Sequence, residues 1–123
     1  MIEMDLKKRV TDEMAIYLES YIEPPPRTTV GVPWSRSRIA QEIDQMKTCL
    51  VEPFTSEYQV NDGPPEREPI RRACWVVALH DTYGLVFDVE ADEFVLVSRS
   101  SSSASDWASF GIRGDAVSTF LAR

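Results

Sequence analysis

The stretch "RRACWVVALH", residues 71–80, places apolar side chains on both alternating faces from Ala73 to Leu79. A strand with one solvated face would alternate apolar with polar residues, so this run predicts a strand covered on both sides in the middle of a sheet. Downstream, "YGLVFDV" puts Leu85, Phe87 and Val89 on one face, and "FVLVS" puts Phe94 and Leu96 on one face and Val95 and Val97 on the other. The polar "EADE" between them has hairpin length. "SRSSSSASD" offers small polar side chains that bury nothing, which predicts a mobile loop, and "WASFGI" after it predicts a returning edge strand.

The last segment, "FGIRGDAVSTFLAR", contains Arg113-Gly114-Asp115, the tripeptide of adhesion-receptor ligands. Val117, Phe120 and Leu121 follow at helical spacing, so the plainer reading makes Asp115 the N-cap of a short helix, its carboxylate accepting from the unpaired first-turn amides. Upstream, Leu6, Val10, Met14, Tyr17, Leu18 and Tyr21 recur every three or four residues, predicting a helix over about residues 3–22. "EPPPR" stops it and leaves an extended connector through Pro24, Pro25 and Pro26, because proline lacks the amide donor and restricts its predecessor. A second helix starts at Ser35 or Ser37, carries Ile39, Ile43, Met46 and Leu50 inward and stops near Pro53. "EPFTSEYQV" reads as a strand, and "NDGPPEREP" is a surface loop by its Gly, Pro and charge content.

These elements sum to one α+β domain over residues 1–123. An antiparallel sheet of three to five strands packs against two N-terminal helices, with a short C-terminal helix. That length supports a core without metal or disulfide staples. Cys49 and Cys74 lack metal-ligand spacing and fall within apolar patterns, so both are expected reduced and buried. "MIEMDLKKRV" lacks the continuous apolar run of a secretory signal or membrane-spanning helix, which makes the cytoplasm the expected compartment and a membrane partner unexpected.

Charge narrows the function. A net charge of −7 argues against a nucleic-acid partner, which calls for a basic stripe. Residues 73–97 hold Asp81, Asp88, Glu90, Asp92 and Glu93 without one Lys or Arg, whereas Arg27, Arg36, Arg38 and Lys47 favour the segment 27–50. His80 is the single histidine, so any triad or histidine-rich metal site must be centred on it. Cys74 lies six residues away on the same expected strand, about 20 Å at strand rise, so the pair cannot form a dyad. His80-Asp81 instead opens the turn "HDTYG". The serines lack a nucleophile elbow, and no phosphate loop, calcium loop or cofactor motif is present in the sequence. Trp75 is expected in the core, while Trp34 and Trp107 flank polar loops and are candidates for exposed anchors.

"WVVALHDTYGLVFDVEADEFVLV", its polar loop and "FGIRGDAVSTFLAR" resemble the C-terminal half of small bacterial immunity-type proteins encoded beside toxins of type VI and polymorphic systems. The resemblance is one of pattern over about half the chain and transfers no functional residue. It implies a non-enzymatic inhibitor that binds a cognate toxin or effector. The acidic segment adds that the partner's binding face is basic, since complementary charge accelerates encounter. Asp88, Glu90, Asp92, Glu93 and Trp107 are the candidate partner-binding residues, with no catalytic, metal or cofactor site expected. Two other readings stand beside it: a small-ligand-binding or regulatory module, and a small enzyme whose carboxylates meet in space.

Overall fold

The computed structural model describes residues 2–22, 34–60, 70–101, 103 and 106–123. The expectations for Pro24–Pro26, for the loop 61–69 and for serine-tract residues 102, 104 and 105 lie outside the described residues. In chain order the elements are α1 (Ile2–Ser20), α2 (Arg36–Cys49), β1 (Leu50–Val60), β2 (Ile70–His80), β3 (Tyr83–Asp88), β4 (Glu93–Ser98), β5 (Trp107–Gly114) and α3 (Ala116–Leu121). The fold is α+β, and its strands follow one another as an antiparallel meander.

The meander closes into a barrel where β5 lies parallel to β1, with Tyr58 opposite Trp107 and Gln59 opposite Ala108. β5 is therefore a closing strand rather than the edge strand expected of "WASFGI". Closure explains why β2 is apolar on both faces, since one face looks into the barrel and the other beneath the helices. Inside lie Tyr58, Cys74, Val76, Val86, Val95, Val97 and Trp107. Outside, Val77, Leu85, Phe87 and Phe94 pack under Leu6, Val10 and Met14 of α1, Ile39, Ile43 and Met46 of α2, and Val117 and Phe120 of α3. Val77 is buried, and Trp75 is half-buried against this outer core.

Local chemistry sets the element ends. The Ser35 hydroxyl accepts from the Arg38 amide at 3.1 Å and caps α2. Asp115 accepts from the Ser118 amide at 2.9 Å and caps α3 as its sequence implied, while Glu13 on α1 accepts from the Ala116 amide at 3.0 Å and ties the two helices. α2 ends at Cys49, short of Pro53, which lies within β1 where the register slips between Leu50 and Phe54. A bulge tolerates a residue that cannot donate to the ladder. Asp81 and Asp92 take left-handed φ values of 56° and 54° in the two hairpin turns, a conformation that aspartate accepts better than most residues.

Candidate functional site

Among the described residues, the densest polar chemistry gathers at the end of β3. Strand alternation decides who meets there: Gly84, Val86 and Asp88 point into the barrel, Tyr58 opposes Arg72 across β1 and β2, and Asp88 opposes both Cys74 and Glu93. Asp88 is wholly buried. Its Oδ2 accepts from the Tyr58 hydroxyl and, at 2.5 Å, from Arg72 Nε. Its Oδ1 accepts from Arg72 Nη2 at 3.2 Å and from the Ala91 amide at 2.9 Å. The Tyr58 oxygen in turn accepts from Arg113 Nη2 at 3.0 Å, and Arg113 Nε sits 2.5 Å from Glu93 Oε1.

Each member's protonation state follows from this closure. Burial alone would push the Asp88 carboxyl up, but the hydrogen bonds from Arg72, Tyr58 and Ala91 and the Arg72 charge reverse that and bring it to about 2. Tyr58 is pushed up to about 12 by burial and then by the Asp88 carboxylate it serves, against the pull of Arg113. Burial, followed by the charges of Asp88 and Glu57, lifts the Cys74 thiol to about 12. Arg72 is raised by its bond to Asp88 and the accompanying charge.

The same bonds shape the β3–β4 turn. Asp88 Oδ1 holds the Ala91 amide while the Asp88 carbonyl accepts from the Asp92 amide at 2.8 Å. Both ends of the turn are thus fixed by one residue, leaving its side chains outside. Glu90 and Asp92 have side chains 85% and 76% exposed, and Val89 between β3 and Glu90 is 46% exposed. An apolar residue rimmed by carboxylates has the layout of a small contact surface.

Two of the five expected partner-binding residues are corrected here. Asp88 is expected on the partner-binding surface, but its alternation with Val86 turns it inward, where two guanidinium groups and a phenol satisfy it. Trp107 is a candidate exposed anchor by sequence, yet only 4% of it is exposed, because its indole fills the barrel beneath Gly84 with the Arg99 guanidinium stacked 4.3 Å above the ring. Glu93 is half-buried beside Arg113, whereas Glu90 and Asp92 remain on the surface. Trp34 is half-buried, with Arg38 4.1 Å over its ring.

The base-free run of residues 73–97 also changes meaning in three dimensions. Arg9 from α1 bonds Asp92 at 2.9 Å, Arg72 from β2 bonds Asp88 and lies 3.7 Å from Glu90, and Arg113 from β5 bonds Glu93. Three cations from outside the run therefore answer four acids. Arg72 stands one residue before the run on the strand that opens it, whereas Arg9 and Arg113 enter from α1 and β5.

His80 is committed as well. Its Nδ1 accepts from Arg123 Nε at 3.2 Å and its Nε2 lies 3.4 Å from the Gln45 side-chain amide. Among the described residues, no cluster of three His, Cys, Asp or Glu residues is placed to hold a metal ion. Among the described residues, no helix is long and apolar enough to cross a membrane. A shallow groove of about 420 Å³ runs between α1 and α2, floored by Met14, Leu18 and Ile43 with Arg36 and Lys47 at its rim. Compared with known protein families, curated proteins and solved structures, the chain finds no match in any of the three.

Proposed function

We propose that this chain is a non-enzymatic inhibitor of the immunity kind, which neutralises a toxin or effector by binding it through the β3–β4 turn. The observation that carries the reading is the saturation of Asp88, whose four hydrogen bonds fix the turn from within and hold Glu90, Asp92 and Val89 outward. A surface fixed before encounter loses little freedom on binding. Glu90 and Asp92 suit a partner with a basic face, and the chain's net charge of −7 adds long-range attraction.

The protonation states favour binding over catalysis. A general acid or base works best with a pKa near the operating pH, whereas Asp88 is drawn to about 2 and Tyr58 and Cys74 are lifted to about 12. Each is tuned away from proton transfer at neutral pH.

Coexpression with the adjacent open reading frame tests the proposal. The expected result is that the neighbouring product alone arrests growth, that this chain restores growth, and that the two copurify. The double variant Glu90→Lys/Asp92→Lys should then weaken copurification while leaving the melting transition in place. A neighbouring product that is harmless, or that is neutralised equally well by the double variant, overturns the proposal. A small-ligand module is the second reading, favoured by the groove between α1 and α2. Saturable binding of dodecanoate that Met14→Glu abolishes and Glu90→Lys/Asp92→Lys spares would establish it instead.

A further inference from the structure

The Arg9 guanidinium lies in a seat made by α1, β3, β4 and the β3–β4 turn. Its carbon stands 5.0 Å from the ring centre of Phe87 and 5.4 Å from that of Phe94, which face each other across β3 and β4. Its Nη1 donates to Asp92 Oδ1 at 2.9 Å and its Nε to Glu13 Oε2 at 3.3 Å. Carboxylates at the edge and aromatic rings beside the plane suit a guanidinium better than a compact ammonium.

Each wall of the seat is held by contacts that do not involve Arg9. Phe87 and Phe94 belong to the outer core, with ring centres 5.2 Å apart. Glu13 uses its other oxygen to accept from the Ala116 amide at 3.0 Å. Asp92 is placed by its own amide's bond to the Asp88 carbonyl at 2.8 Å, in the turn that Asp88 fixes. Arg9, in contrast, reaches in on a long side chain that is 41% exposed. The walls are therefore firmer than the occupant, which regains rotamer freedom when it leaves.

We propose that Arg9 is the exchangeable occupant of a guanidinium site, and that an arginine of the partner takes its place when the β3–β4 turn is bound. The inference rests on the reading of that turn as the docking surface, and it adds the partner's chemistry, a basic face that presents arginine at Asp92. Asp92 belongs to both features, since it is a wall of the seat and part of the exposed turn. The incoming arginine replaces the contacts of Arg9 with equivalent ones, so the resident side chain competes with the partner. Removing it should strengthen binding, because the partner then meets a site that is already vacant.

The test titrates acetylated hexa-arginine and hexalysine into the folded protein at low salt and follows amide NMR shifts at residues 89–92. Arg9→Ala should bind hexa-arginine about five- to tenfold more tightly than the parent does, with a smaller gain for hexalysine. Arg9→Gln, which keeps the stem over the rings, should show the same preference at reduced size. Lys8→Ala makes the same charge change one residue away and should give little gain, because Lys8 pairs with Asp12 outside the seat. In an Asp92→Asn background the gain from Arg9→Ala should vanish. No gain from Arg9→Ala, equal gains from Arg9→Ala and Lys8→Ala, or equal gains for the two peptides would overturn the proposal while leaving the turn as the docking surface. Absence of shifts at residues 89–92 in parent and variants alike would overturn both. Thermal melting of every variant confirms that the fold is intact at the titration temperature.

Discussion

The barrel interior is filled in two ways. Near the β3–β4 turn, the buried Asp88 carboxylate and Tyr58 phenol occupy the space through hydrogen bonds, with the Arg72 and Arg113 guanidinium groups bonded to them from the rim. Beneath Gly84, an indole occupies it through packing, so closely that a methyl group on Gly84 would come within 3.0 Å of the Trp107 ring. The apolar filling needs only volume and tolerates any pH. The polar filling needs every partner present and charged, since a buried charge left without its partner costs far more than the intact pair contributes. That difference explains the division of labour proposed here, in which packing closes the barrel and the polar network shapes the turn.

The comparison can be broken most forcefully by removing each filling in turn. Asp88→Ala should destabilise the fold by about 3–5 kcal/mol, because it strands Arg72 and Tyr58 without their acceptor. Trp107→Ala should cost a similar amount, about 3–5 kcal/mol, through lost burial and the cavity left behind. Chemical denaturation measures both, and their pH dependence tells them apart. Asp88 is depressed in the folded state from 3.8 to about 2, so its contribution is complete above about pH 4 and is lost as pH falls through 2. Tyr58 is raised from 10 to about 12, so its contribution is complete below pH 10 and is lost as pH rises through 12. Trp107→Ala should keep the acid-dependent loss of stability, whereas Asp88→Ala should lack the part due to this carboxyl.

A smaller effect sharpens the packing side. Gly84→Ala forces the indole to shift within a filled interior and should cost about 1–3 kcal/mol, detectable as a lower melting midpoint with an unchanged acid limb. The same substitution would be harmless if the Trp107 ring could swing outward, as an exposed anchor would.

The fold was legible where one side-chain pattern serves one neighbour. The doubly apolar β2, the alternation in β3 and β4, and the cap at Asp115 all read directly from sequence, which narrows the α2 cap to Ser35 or Ser37. Barrel closure did not, because the parallel meeting of Tyr58 with Trp107 joins residues 49 positions apart and leaves no periodic trace. The candidate site failed for a related reason. Asp88 looked like one acid among several, and what buries it is strand parity together with Tyr58, Arg72 and Arg113 from three other strands. One signal was available: the apolar-inward alternation of Gly84 and Val86 continues to Asp88, so a charged residue occupied an interior register position.

The smallest stability effect is expected at the turn surface. Glu90→Lys/Asp92→Lys should change stability by less than about 1 kcal/mol, since both side chains are largely exposed, while slowing association with a basic partner at low salt. The slowing should fade as salt is added, because at physiological ionic strength charges are screened beyond about 8 Å. Equal association rates for variant and parent at low salt would place docking away from the turn.

The account rests on Asp88 being a locked, ionised support, and a carboxyl-carbon NMR titration of the folded protein measures that directly. The account requires the Asp88 signal to titrate near pH 2, well below an ordinary aspartate, with loss of the Ala91 amide's hydrogen-bonded shift in the same step. Titration above pH 4 would mean that burial outweighs the arginines, leaving a protonatable acid inside the barrel and contradicting the lock.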